Sequence, residues 1–131
     1  MDDNLRNYFD SQLEQVLQQL PPQIHTLLEE VPLVVDDFPT PAILKMLKVR
    51  RRDSLCGLYT GIPLTKRSVQ HSGIPSDVIH IFREGICGES RTSRGLLDEQ
   101  ELRRQIRITI LHEVGHHFGL TEQDLRELGY G

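Results

Sequence analysis

Tryptophan is absent from this 131-residue chain and aromatic residues make up only 5% of it, so it has little with which to build a base-stacking platform for single-stranded nucleic acid. Cysteine is scarce as well. Cys56 and Cys87 stand far apart and form no CxxC pair, which argues against a disulfide framework and against a cysteine-based zinc site. No run approaches the roughly 18 uninterrupted apolar residues that a bilayer crossing needs, so a membrane-spanning protein is excluded. The opening MDDNLRNYFD is acidic and lacks the basic and apolar regions of an export signal, and the expectation is a soluble, cytoplasmic protein.

What is present is enough to fold. Hydrophobic residues are 37% of the sequence, at the low edge of the globular range, and one domain spanning 1–131 is expected, with the N-terminal helix within residues 1–22 able to sit at its periphery. The formal charge of −4 is unevenly spread: −7 over residues 1–40, +6 over 41–110 and −3 over 111–131. The basic middle contains Lys45, Lys48 and Arg50–Arg51–Arg52, and with no aromatics interleaved it reads as a solvated face or loop.

Hydrophobic spacing sets the coarse structure. Residues 3–20 repeat apolar positions at helical intervals until Pro21-Pro22, and Gln23–Glu30 follow as a second helical turn. VPLVVDD reads as an edge strand, Ala42–Lys48 as a helix, Leu55–Thr60 as a strand running into a turn, and Val78–Arg83 as a further strand. His71–Ser76 and Gly85–Gly95 read as glycine-punctuated loops. A long helix then begins at Asp98, with Glu101 placed to close a reciprocal capping box, and Gly119 stops it. Thr121 and Asp124 open a last short helix. Helices at both ends with strands between them indicate an α+β domain, a short mixed sheet packed against a central helix.

That central helix carries His112-Glu113-Val114-Gly115-His116. Residues four apart stack on one helical face, so both imidazoles can point at one ion, while Glu113 is turned aside and placed to act as a general base on water. Gly119 lets the chain double back, and Glu122 at the next helix start can approach the same ion, giving HExxHxxGxxE. The motif with its downstream Gly and acid is expected by composition only about 0.0002 times in such a chain. His112, His116 and Glu122 are the expected ligands of a catalytic zinc with an open fourth position, and Glu113 is the expected base. His117 points some 100° away and reads as a helix-packing residue behind the ligands. His80 reads as a half-buried sheet histidine and is also, with Tyr59 and Tyr130, a candidate for contact with substrate; His25 and His71 read as surface residues.

The run TILHEVGHHFGLTEQDLRELGY resembles the small bacterial zincin-like metallopeptidases often called minimal metalloproteases, and VPLVVDD, GLYTGIPLTKRSV and PSDVIHIFRE extend that resemblance upstream. It implies a zincin-like fold, zinc on His112, His116 and Glu122, Glu113 as base, and a peptide or protein substrate. Many members place Asp where this chain has Glu122. Only nine residues follow Glu122, so no methionine turn lies downstream, and substrate must be held by something simpler. An exposed strand edge pairing with an extended peptide is the simplest device, with VIHIFR as its candidate.

Two other readings fit part of the pattern. A zincin-like rRNA-maturation endoribonuclease uses three histidines at the spacing that His112, His116 and Glu122 occupy here; the basic stretch 45–52 favours it and Glu113 argues against it, so a nucleic-acid partner is disfavoured. A non-catalytic module, in which metal merely ties the last helix to the central one, needs no base.

Overall fold

A computed structural model describes residues 1–61, 63 and 77–130. Among them are six helices and three strands: α1 (Asp3–Gln19), α2 (Pro22–Glu30), β1 (Leu33–Asp36), α3 (Pro41–Leu47), β2 (Gly57–Thr60), β3 (Val78–Phe82), α4 (Arg83–Glu89), α5 (Glu99–His117) and α6 (Glu122–Glu127). The loop expected over 71–76, with His71, lies outside the described residues.

Local chemistry explains the helix boundaries. The Asp2 carboxylate caps α1 through the Leu5 amide, and Thr40 caps α3 through the Ile43 amide with Pro41 at the first helical position. Asp98 caps α5 through the Glu101 amide. The reciprocal half of that expected box does not form, because the Glu101 carboxylate binds Arg104 and Gln105. Thr121 and Asp124 do form both halves at the start of α6.

The sheet is mixed and ordered β1-β3-β2, with β1 parallel and β2 antiparallel to β3. This order corrects the expectation for VIHIFR. Among the described residues β3 is the central strand, hydrogen-bonded to β1 on one side and to β2 on the other. The near-continuous apolar character of β3 is what burial on both faces requires, and Ile79, Ile81 and Phe82 are all buried. Arg83 is not its last residue but the first of α4. That helix occupies part of the expected loop 85–95, because burying Ile86 and Cys87 outweighs the poor helix propensity of its glycines.

On one sheet face Leu33, Val35, Ile79, Ile81, Gly57 and Tyr59 share a side and meet α5, which packs on β2 and β3 and is flanked by α1 and α4. Ile106, Ile110 and Val114 from α5 complete this core. The N-terminal helix is not peripheral: Phe9 is fully buried and Leu13, Val16 and Leu20 join the same core. At about 25 cal/mol per Å² of apolar surface, burying such side chains stabilises by roughly 1.5–3 kcal/mol each, which holds α1 onto α5.

Candidate metal centre

The last two turns of α5 carry the site. His112 and His116 stand one turn apart, and their Nε2 atoms approach to 3.2 Å. Gly119 then adopts φ of 88°, a left-handed conformation that a side chain disfavours, and reverses the chain so that α6 starts beside α5. Glu122, first residue of α6, brings its carboxylate oxygens to 2.8 Å from His116 Nε2 and 3.3 Å from His112 Nε2. The three residues that the spacing singled out are therefore brought together by the helix period and one glycine.

Backbone carbonyls fix the ring orientations. His112 Nδ1 contacts the Tyr130 carbonyl and His116 Nδ1 the Leu120 carbonyl at 3.2 Å. A carbonyl only accepts, so each Nδ1 carries the proton and donates it, leaving each Nε2 with a lone pair. Two ring nitrogens and a carboxylate then face one another, a donor set suited to a cation. Donors about 2.0–2.1 Å from a tetrahedral ion stand roughly 3.3 Å apart, close to the 3.2 Å between the two rings and the 3.3 Å from His112 to Glu122 Oε2, whereas His116 and Glu122 Oε1 are nearer, at 2.8 Å. Carbonyl partners on the outer nitrogens are also what metal-bound histidines generally have.

Glu113 is the buried acid of the group, 6% exposed, against 60% for the Glu122 side chain. It too offers an oxygen near both imidazoles, and His112, Glu113 and His116 form a set of donors, all within 4.8 Å of one another, that could hold an ion. Burial pushes the Glu113 carboxyl above the usual carboxylate range; His112 and His116 pull it down, Glu122 pushes it up, and a hydrogen bond from the Tyr59 amide lowers it again.

The site opens into a cleft of about 640 Å³ lined by Gly57, Leu58 and Tyr59 of β2 on one side and by His112, Glu113, His116 and Glu122 on the other. Gly57 makes this approach possible. A Cβ there would stand 2.8 Å from the Thr109 methyl and 3.2 Å from Glu113 Cγ.

The remaining expected residues divide. Tyr59 lines the cleft, yet its hydroxyl donates to Asp77 at 2.9 Å. Tyr130 lines a second cavity and holds His112 through its backbone carbonyl. His80 is not brought to the site. Its partners across the ladder, Val34 and Leu58, place it on the sheet face away from α5, where it stacks on Phe82. His25 is exposed on α2. His117 is buried and donates from Nδ1 to Asp77 at 2.8 Å, so Asp77 gathers His117 and Tyr59. Sequence reading missed Asp77, which lies 40 positions from His117 with no pattern linking the two.

A short mixed sheet laid on a helix that presents two histidines four residues apart, with an acid following a glycine turn, defines the zincin class of metal-binding domain. A model of the zincin-like metallopeptidase family matches residues 28–131, and the chain belongs to that family. No curated protein sequence matches the chain.

Proposed function

We propose that this protein is a zinc-dependent peptidase in which His112, His116 and Glu122 hold the metal and Glu113 is the general base. The observation that carries the reading is the convergence of the His112 and His116 Nε2 atoms and the Glu122 carboxylate, with buried Glu113 beside them, on one wall of a cleft whose other wall is β2. A zinc ion in that cage supplies the positive charge that polarises a carbonyl and acidifies water.

The chain's own residues supply the rest. Glu113, kept from solvent, is a stronger proton acceptor than a hydrated carboxylate, and the Tyr59 amide fixes its orientation. It takes a proton from the attacking water at a carboxylate oxygen and delivers one to the amide nitrogen as the C–N bond breaks and the new C–O bond forms. β2 lines the cleft through Gly57, Leu58 and Tyr59, opposite the donors, so an extended peptide would lie along it. This moves the docking strand from VIHIFR, where the sequence suggested it, to GLYT.

The endoribonuclease reading gains nothing from this geometry. The described lining of the cleft carries Glu113 and Glu122 and no Lys or Arg, a setting that repels phosphates. Arg51 and Arg52 of the basic stretch are engaged with Asp53 and Glu84.

Glu113→Gln tests the proposal. The variant is expected to keep its fold and its zinc while peptide cleavage falls by about 10²–10⁴-fold, the usual contribution of a general base. Elemental analysis together with cleavage of a peptide library by both proteins checks this, and equal cleavage by the two refutes the assignment.

A further inference from the structure

A second cavity, of about 330 Å³, adjoins the catalytic groups on the side away from Glu122. It shares Leu55, Gly57, His112 and Glu113 with the main cleft and extends back along α5 to Gln105. From Gln105 to His112 is two helical turns, about 10 Å, enough to take a long side chain. Its walls include Leu55, Ile108 and Thr109, which offer apolar surface. Its polar members differ in availability. The Gln105 amide nitrogen donates to Glu101, leaving the carbonyl oxygen as an acceptor. Glu89, at the end of α4, is exposed and makes no ion pair with any described residue.

The position of Glu89 is electrostatically odd. It is the last residue of α4, where the helix dipole disfavours a negative charge, and no described cation pairs with it. No Lys or Arg is among the described residues lining this cavity. Burial keeps the Cys56 thiol neutral, pushed up to about 11 with help from Glu89 and Glu113, so Cys56 does not compete as an anion.

Resting on the peptidase reading above, we infer that Glu89 is a specificity-determining residue and that this cavity receives a lysine or arginine side chain of the substrate. The aliphatic stem lies along Ile108 and Thr109 while the cationic head meets the Glu89 carboxylate and the Gln105 carbonyl. A substrate laid antiparallel along the β2 wall of the cleft runs from the Gly61 end toward Gly57. The residue entering the cavity is then the one just after the scissile bond.

Binding and cleavage are measured separately. Zinc-loaded Glu113→Gln protein is titrated with fluorescein-labelled octapeptides that carry Lys, Arg, Gln or Glu at one scanned position and are otherwise identical. The Lys and Arg peptides are expected to bind about five- to ten-fold tighter than the Glu peptide. Adding Glu89→Gln narrows this to within about two-fold, and Glu89→Lys turns the preference toward Glu, both without loss of thermal stability. Equal affinity for all peptides, or a basic preference that survives Glu89→Lys, overturns the inference. Cleavage by the unmutated protein with no preference after the scissile bond overturns it while leaving the peptidase reading standing. Failure of every peptide to bind or be cleaved overturns both.

Discussion

Two clusters of ionisable side chains in this molecule are built on opposite principles. Around Asp37, anions and cations alternate: Arg6 binds Asp3 and Asp37 at 2.6 and 2.7 Å, and Arg83 binds Asp37 and Asp10 at 2.9 Å each. Every charge there meets its complement within the chain, and Arg83 also lies over the Phe9 ring. Around His112 the groups are all electron donors, two imidazole nitrogens and two carboxylates, with the two rings oriented by backbone carbonyls and Glu113 by the Tyr59 amide. The first cluster is complete without any added ion and fastens α1 and α4 to the segment after β1. The second is a set of donors that could hold a metal ion, the kind of preorganised grouping that a binding site needs. The family match begins at residue 28, so α1 and the Arg6 and Asp10 arms of the first cluster lie outside it, whereas the whole donor cluster lies inside it.

Zinc removal should separate the two most sharply. At free zinc about a thousand times its dissociation constant, a folded-state site stabilises by about 4 kcal/mol. A chelator is therefore expected to lower the melting temperature of the unmutated protein by many degrees. His116→Ala should bind no zinc and show no chelator effect at all. Full zinc occupancy in His116→Ala, measured by elemental analysis, would falsify the ligand assignment and with it the contrast between the clusters.

The balanced cluster predicts a smaller loss that owes nothing to metal. Arg83→Met leaves Asp10 without its partner and Asp37 with Arg6 alone, and should cost about 2 kcal/mol in urea denaturation. Its zinc-dependent stabilisation should match that of the unmutated chain, since the two clusters share no residue. A variant that loses zinc affinity along with stability would mean that they are coupled.

Much of the donor cluster was legible in the sequence because its geometry is local. A 3.6-residue period puts His112 and His116 on one face, and Gly119 and the Thr121–Asp124 cap need only nearest neighbours to bring Glu122 round. What could not be read depends on long-range pairing. Sheet order is not set by strand order, so nothing local shows that β1 and β2 flank β3 on either side, although its nearly continuous apolar character is a signal for the centre. α4 was hidden by Gly85 and Gly88, whose local preference gives way to the burial of Ile86 and Cys87. Asp77 reaches Tyr59 and His117 across 18 and 40 positions, and Asp37 reaches Arg6 and Arg83 across 31 and 46, by contacts that no periodicity encodes.

The smallest predicted effect concerns acid. Hydrogen bonds from Arg6, then from Arg83, hold the Asp37 carboxyl down at about 2, below its ordinary value, against the opposing effect of burial. A carboxyl depressed on folding contributes its stabilisation in full above the unfolded value near 4 and loses it as pH falls toward 2. Only the carboxylate form can accept from both guanidiniums. The contribution is on the order of 1 kcal/mol, because the cluster is partly open to water. Metal-free protein should be used, since zinc binding itself weakens in acid. Urea midpoints between pH 5 and pH 2.5 should fall less steeply in Asp37→Asn than in the unmutated chain. Parallel slopes would show that Asp37 takes no part in the acid response, and would leave the Arg6–Arg83 cluster as a geometric feature without the charge coupling that its distances imply.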